Sequence, residues 1–429
     1  MSASASLNLN VRGLGLSATL AIKDKCRKLR SEGRSVFDFG LGQSPFPVPR
    51  PMVEALRLSA PEKDYLPVKG LPELREAVAG FHRKKDLINT HAERILIGPG
   101  SKELMFILQL AFYGEIILPT PCWVSYLPQA KIINRRNSMI HSSGENGWNL
   151  SAKQLNDSLR DIGDDHRPRL LIINYPNNPT GNSYDNEELK RIAEVARKFR
   201  IILLSDEIYA QLRFDGLHTS IARYYPEGTI VSSGISKWCG AGGWRLGTFS
   251  FPPDLRWLLD AMASIASETY TSVSAPIQFA AIQAFRGGLE MEHYLLHVRR
   301  ILAALGLRTY AILNQGGVRV NPPKGAFYLL LDFSPFAREI AARNISKSNE
   351  LCDRLLEDTG VALLPGAEFG RSRSELTARL SYVDFDGTTA LAASQNTPLD
   401  APLPDGFLEH YCPRVIEGAS KLVEWVQGS

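Results

Sequence analysis

Six short apolar runs punctuate the first 251 positions: RILIG (94–98), EIILP (115–119), LLIINYP (170–176), IILLSD (201–206), TIVSSG (229–234) and GTFSF (247–251). Most of them are apolar at nearly every position rather than at alternate ones, which is the pattern of strands covered on both faces. Amphipathic stretches lie between them, among them 101–112, 185–199 and 253–267, and their apolar residues recur at helical spacing. The alternation predicts an α/β fold, a mostly parallel sheet between helices. In such sheets ligands collect at the carboxyl ends of the strands.

Beyond about residue 285 the pattern changes to a long helical stretch, MEHYLLHVRRILAALGLRTYAIL, followed by GAFYLLLDF, a further helix and ARLSYVDF. This predicts a second, smaller α/β domain, which the N-terminal segment is expected to join. The expected boundaries are 1–48, 49–286 and 287–429. Proline, glycine and small polar residues mark 386–411 as an inserted loop ahead of a final helix, PRVIEGASKLVEWV.

Composition narrows the function classes. With 429 residues, 44% hydrophobic and 22% charged, the chain can build a sizeable core. A net charge of +4, with both signs interspersed, gives no reason to expect a nucleic-acid or membrane partner. Five scattered cysteines without a C-x-x-C pair argue against a disulfide framework and a zinc site. No H-E-x-x-H motif occurs, and although His293 and His297 stand at i and i+4, no metal is expected. The opening residues lack a basic segment followed by an apolar one, and no apolar run reaches the roughly 20 residues of a spanning helix. A soluble, cytoplasmic protein is expected.

Polar residues at the predicted strand ends carry the candidate chemistry. After RILIG, Gly100, Ser101 and Lys102 open an amphipathic helix, whose free N–H groups suit a phosphate; a glycine turn with a serine cap is the plainer reading. Trp123, just past EIILPTP, can stack on a flat ring or fill the core. Asn178 in NYPNNPTG projects an amide from a turn or only shapes it. Asp206 ends an apolar strand, with Tyr209 three residues on; a carboxylate there needs a cationic partner or caps a helix. Lys237 sits among small residues in SSGISKWCGAGGWRLG, with Arg245 eight positions later. Desolvation and a neighbouring cation lower an amine's pKa and make it nucleophilic. Arg245 offers a fork to a phosphate or carboxylate, and glycines 240, 242 and 243 let backbone approach a ligand. Together these groups match the demands of pyridoxal 5′-phosphate: a phosphate cradle, a ring stacker, an acid for the ring nitrogen and an amine for the aldehyde.

In this combination the sequence resembles the class I aminotransferases of the aspartate aminotransferase fold, among the fold-type I enzymes that use this cofactor. The resemblance runs from LSATLAIKDKCRKLRSEG and DFGLGQSPFPVP through YLPVKGLPELREAV, GPGSKELMF, PCWVSY, NYPNNPTG, SDEIYAQL and SKWCGAGGWRLG to PKGAFYLLLDF, GVALLPGAEFG and ARLSYVDF. It implies a large domain built on a mostly parallel seven-stranded sheet plus a small α/β domain. It also implies that Lys237 holds the cofactor as a Schiff base, Asp206 pairs with the ring nitrogen, Tyr209 and Asn178 contact the ring oxygen and Trp123 stacks. Ser101, the Lys102 backbone, Ser236 and Arg245 would hold the phosphate, with Gly100 in the same turn. Tyr65 would reach the phosphate of a neighbouring subunit, so a homodimer is implied. Arg379 would grip the substrate α-carboxylate, with Gly42 beside it; by pattern alone Arg379 reads as a strand-edge surface charge.

Three features depart from the family pattern. Gly234 stands where many relatives have a phosphate-binding serine, Lys102 adds a charge near the phosphate, and 386–411 is longer than the usual link. The implied activity is ping-pong transfer of an amino group between an L-amino acid and a 2-oxoacid, with aspartate-type or aromatic substrates favoured. A lyase, decarboxylase or cyclising synthase on the same fold is the alternative. A cofactor-sensing regulator would need a DNA-binding module, and no helix-turn-helix pattern precedes FGLGQSPF; a dehydrogenase would need the dinucleotide fingerprint G-x-G-x-x-G, which does not occur.

Overall fold

Strands buried on both faces must pair their backbone groups laterally, and the apolar runs do so in one sheet. The computed structural model describes residues 7–162 and 167–428. In chain order its strands are β1 (Phe37–Asp38), β2 (Ile95–Gly98), β3 (Glu115–Thr120), β4 (Asn137–His141), β5 (Arg169–Asn174), β6 (Ile202–Asp206), β7 (Thr229–Gly234), β8 (Gly247–Ser250), β9 (Arg319–Val320), β10 (Tyr328–Asp332), β11 (Val361–Ala362), β12 (Leu364–Pro365) and β13 (Thr377–Ser381). Seven form the central sheet in the order β2-β8-β7-β6-β5-β3-β4. All its pairings are parallel except the two made by β8.

Successive side chains of these strands serve opposite faces. Ile116, Leu118, Leu170, Ile172, Leu204 and Ile230 pack beneath helices Ser101–Ala111 and Arg256–Ser267. Ile117, Leu171, Ile173 and Leu203 pack beneath Ala152–Ile162 and Asn186–Lys198. Both faces being apolar explains the continuous runs. The seventh strand, β4, escaped the pattern because it is a sheet edge with mostly exposed or half-exposed residues.

A second sheet, β12-β13-β10-β9, is antiparallel and packs with the 27-residue helix Leu289–Gln315. The parallel pairing of β1 with β11 stitches the N-terminal segment to this C-terminal part of the chain. The stretch expected to be a loop at 386–411 is not one. It contains helices Gly387–Gln395 and Phe407–Tyr411, the first capped by Asp386 Oδ1, which accepts from the Thr388 and Thr389 N–H groups at 3.0 and 3.2 Å. Buried Ala390, Leu391 and Phe407 hold it to the core. Arg300 gathers its carbonyl groups at Ser394, Thr397, Pro398 and Ala401. Small residues and prolines masked an amphipathic pattern that rests on so few apolar anchors.

One feature of the sheet prepares the site. Gly98, Gly247 and Gly234 stand in register across β2, β8 and β7. A Cβ on Gly247 would meet the Ser101 nitrogen at 2.1 Å and the Gly100 carbonyl carbon at 2.5 Å, so the helix entry at 100–101 seats directly on the strand. A Cβ on Gly234 would meet the Leu246 carbonyl oxygen at 2.8 Å, which accounts for the glycine at this position. Overpacking against backbone costs about 1–3 kcal/mol. Gly247→Ala is therefore expected to lower the unfolding free energy by that amount in a urea titration, while Gly243→Ala, with nothing within 4 Å of its added carbon, stays within about 0.5 kcal/mol of the parent.

Candidate active site

The carboxyl ends of β5, β6 and β7 open into a cavity of about 480 Å³. Its wall includes Gly42, Ser101, Lys102, Trp123, Asn178, Asp206, Tyr209, Ser236, Lys237, Arg245 and Arg379, residues spread over more than 330 positions of sequence. Two expected residues are not on it. Gly100 lies just outside and leaves room for Arg245: its Cβ would sit 2.2 Å from Arg245 Nη2, and its φ of +91° is one that side-chain-bearing residues rarely adopt. Tyr65 is 89% exposed and away from the cavity of its own chain.

Asp206, the last residue of β6, is buried. Tyr126 Oη donates to its Oδ2 at 2.6 Å and the Ile208 N–H to its Oδ1 at 3.4 Å. Burial raises its pKa from 3.8 to about 6, against the opposing pull of Tyr126. The neighbouring strand end is locked to it. Asn174, its register partner on β5, donates Nδ2 to the Asp206 carbonyl at 2.8 Å and accepts the Asn178 N–H on Oδ1 at 2.8 Å. The Asn178 turn is thus set by the residue that precedes it on the strand.

Lys237 follows β7 on a short turn, and its Nζ donates to the Gly42 carbonyl at 2.6 Å. The Nζ lies 5.6 Å from the Tyr209 ring centroid and 5.8 Å from that of Phe327. Its pKa falls from 10.5 to about 7, first by burial and next by the positive charge of Arg379, with smaller effects from Lys102 and Arg245. The sequence had placed Arg245 in the role that Arg379 performs.

Arg379 is not a strand-edge surface charge. It lies in β13, inside the second sheet, and is 1% exposed. Nη1 donates to Asn178 Oδ1 at 3.0 Å and Nη2 to the Gly40 carbonyl. Its guanidinium carbon lies 4.7 Å from the Tyr328 ring centroid and 5.1 Å from that of Phe369, and Nε has no partner. A buried guanidinium held by neutral acceptors alone calls for an anion.

At the other end of the cavity, Ser101, Ser236, Lys102 and Arg245 surround the N-terminus of helix Ser101–Ala111. Arg245 bonds only to the carbonyls of Gly242 and Pro99; among the described residues neither it nor Lys102 has a carboxylate in an ion pair. Its φ of +53° is uncommon for a residue with a side chain. Lys102 Nζ lies over the Trp123 ring, 5.1 Å from its centroid. Wall residues that the sequence reading missed are Thr19, Leu41, Gln43, Asn174, Ile208 and Tyr328, with Tyr126 behind Asp206. Asn174 and Tyr126 were within reach of sequence reasoning, since each belongs to a motif already quoted. Tyr328 belongs to one as well, in PKGAFYLLLDF, but its part shows only when the second sheet brings its hydroxyl to Tyr209 Oη at 2.7 Å.

A depressed amine between two anion-seeking ends is the site of an enzyme that handles charged small molecules. Comparison with known proteins specifies which kind. The aminotransferase class I and II family matches residues 34–390. The aspartate aminotransferase of Bacillus sp. (strain YM-2) is 32% identical over 382 residues, 87% of this chain and 93% of that one. The asparagine–oxo-acid transaminase of Streptococcus mutans is 32% identical over 378 residues, 85% and 92% of the two chains. The structure of Thermus thermophilus aspartate aminotransferase with maleate superposes with a TM-score of 0.82 at 27% identity, covering 97% of this chain and 99% of that one. The chain belongs to the aminotransferase class I and II family.

The amine makes a direct test possible. Because the folded protein holds Lys237 neutral while the unfolded chain still binds its proton, this residue's contribution to stability grows as pH rises above about 7 and levels off near 10.5. Competitive trace acetylation of cofactor-free protein, followed by peptide mapping, is expected to show half-maximal labelling of Lys237 near pH 7. Arg379→Gln, which removes a like charge, is expected to move that midpoint upward; a midpoint near 10 in the parent protein would contradict the reading.

Proposed function

We propose that the protein is a pyridoxal 5′-phosphate-dependent aminotransferase acting on a dicarboxylic amino acid of the aspartate type. The observation that carries this is the convergence of Lys237, Asp206 and Arg379 on one cavity wall. The residues present fit the cofactor: the phosphate end has serine hydroxyls, a helix N-terminus and Arg245 without a competing carboxylate, and a buried carboxylate stands where a cationic ring nitrogen would be met. Trp123 would cover one ring face, and Tyr209 and Asn178 would hold the ring oxygen. When bound, the cofactor supplies an aldehyde for the amines and a ring that takes up the electrons of the breaking Cα–H bond.

The chain's own residues do the rest. Asp206 holds the ring nitrogen protonated by charge pairing. Arg379 orients the substrate α-carboxylate and so sets the Cα–H bond for cleavage, with the Gly42 carbonyl beside Lys237. Lys237 Nζ, whose pKa of about 7 leaves much of it unprotonated at neutral pH, would take the proton from the substrate Cα and return it within the same cavity. The same residues would serve a second 2-oxoacid in the return half of the transfer. With Arg379 committed to the α-carboxylate and Arg245 to the phosphate, Lys102 is the cation left to meet a distal carboxylate, with Thr19 on the same wall. The aspartate aminotransferases among the relatives and the maleate, a dicarboxylate, in the Thermus structure support this choice of substrate. Tyr65, exposed on its own chain, would serve the phosphate of a partner subunit in a homodimer, and residues 1–48 would move with 287–429 as the small domain.

Lys237→Ala is expected to abolish both the absorbance that marks a lysine-linked cofactor and amino transfer to 2-oxoglutarate or pyruvate; retained activity would refute the assignment. Lys102→Met is expected to reduce kcat/KM for aspartate by about tenfold or more, the scale of a charged hydrogen bond, and to spare alanine. Equal losses on both substrates would remove Lys102 from the distal site.

A further inference from the structure

Directly behind Asp206 lies a second buried carboxylate that the reaction does not use. Glu207 follows β6, and its N–H continues the sheet pairing by donating to the Ser232 carbonyl at 2.9 Å. Its side chain turns to the opposite face, as alternation requires, and is buried. Oε1 accepts from Ser205 Oγ at 2.8 Å, Ser220 Oγ at 2.5 Å and Tyr175 Oη at 3.3 Å, and Oε2 meets His218 Nε2 at 2.8 Å. Tyr175 Oη in turn accepts the Ile221 N–H at 2.8 Å, and its ring stacks on His218 with centroids 5.1 Å apart.

His218 Nδ1 is buried and has no hydrogen-bond partner. The contact of Nε2 with Glu207 is therefore the ring's polar attachment among the described residues. Burial raises the Glu207 carboxyl, and the charge and hydrogen bond of His218, with the Ser220 and Ser205 hydroxyls, outweigh it and keep the pKa below the ordinary carboxylate value. The Glu207 carboxylate stands one residue from Asp206, whose carboxyl it pushes up, and its network joins Tyr175, the residue after Asn174, to the end of β6.

We propose that Glu207 is a positioning residue for Asp206: its His218–Ser205–Ser220–Tyr175 cage fixes the end of β6 against the Asn174–Asn178 turn and sets a second negative charge behind the cavity-facing carboxylate, tightening its hold on a cationic ring N–H. This rests on the cofactor reading above for its ligand, but its electrostatic core concerns the cofactor-free protein. The groups that face Asp206 are Tyr126, Lys237, Tyr209, the Ile208 N–H and Glu207. Of these, Glu207 and burial favour the protonated acid, whereas Tyr126, Ile208 and Lys237 favour the carboxylate.

Two measurements on Glu207→Gln test this. Carbon-13 NMR of aspartate-labelled, cofactor-free protein, with the Asp206 signal assigned through Asp206→Asn, is expected to show the Asp206 midpoint falling by about one pH unit, with Glu207→Asp remaining near the parent. An unchanged midpoint would overturn the proposal. In the second, Glu207→Gln is expected to weaken binding of pyridoxal 5′-phosphate about tenfold, a coupling typical of residues acting through a neighbour, while binding of the analogue with carbon in place of the ring nitrogen stays unchanged. Equal losses for both ligands, or no loss for either, would show that the cage is structural only and overturn the proposal. If the parent protein fails to bind the cofactor, the cofactor reading falls and the NMR result alone judges Glu207. Should Glu207→Gln not fold, Glu207→Met combined with His218→Leu removes both partners together and carries the same expectations.

Discussion

Everything in this molecule is arranged around an amine that gives up its proton readily among cations. Lys237 shares one cavity with Arg379, Lys102 and Arg245, and burial together with those like charges brings it to a pKa of about 7. An ammonium there would be opposed from three sides and helped mainly by Asp206. The cost of assembling those cations is met by structure that carries no charge: carbonyls of Gly40, Gly42, Gly242 and Pro99 and the amide of Asn178 receive their N–H groups. Replacing these acceptors by carboxylates would pair the cations and return the lysine to an ordinary, protonated state. The neutral acceptors are therefore as much a part of the chemistry as the charges they hold.

The sheet makes this arrangement possible. Strand ends bring Asn174, Asp206 and the turn bearing Lys237 side by side, and register does the aligning, with Asn174 opposite Asp206 and Asp206 opposite Ser232. Glycines at Gly98, Gly234 and Gly247 let helix Ser101–Ala111 start directly on the sheet, which places its N–H groups at the Arg245 end of the cavity. The second sheet contributes Arg379 and Tyr328 from β13 and β10, so one end of the cavity depends on how the two sheets face each other.

How much of this could be read from the chain follows from the range of each interaction. Residues that end an apolar run, such as Asp206, are legible because a strand end is a local property, and six of the seven central strands were found this way. The edge strand β4 was not, since half-exposed strands lose the apolar signal. Arg379 shows the opposite limit. Its neighbours Ala378 and Leu380 mark a strand, but nothing local says that the arginine points inward. That is decided by Asn178 and Gly40, 201 and 339 positions away. The helices within 386–411 were hidden for a related reason: Arg300, far back in the chain, caps the first of them at its carbonyl end. Glu207 was visible in SDEIYAQL, yet its significance appears only when Ser205, Ser220 and His218 close around it.

The account stands or falls on which nitrogen meets the cofactor. Incubating the purified protein with pyridoxal 5′-phosphate, reducing with borohydride and mapping peptides by mass spectrometry locates that atom. One pyridoxyl-phosphate group per chain on the peptide containing Lys237 is the predicted result; labelling confined to Lys102 or to surface lysines, with Lys237 unmodified, would contradict it.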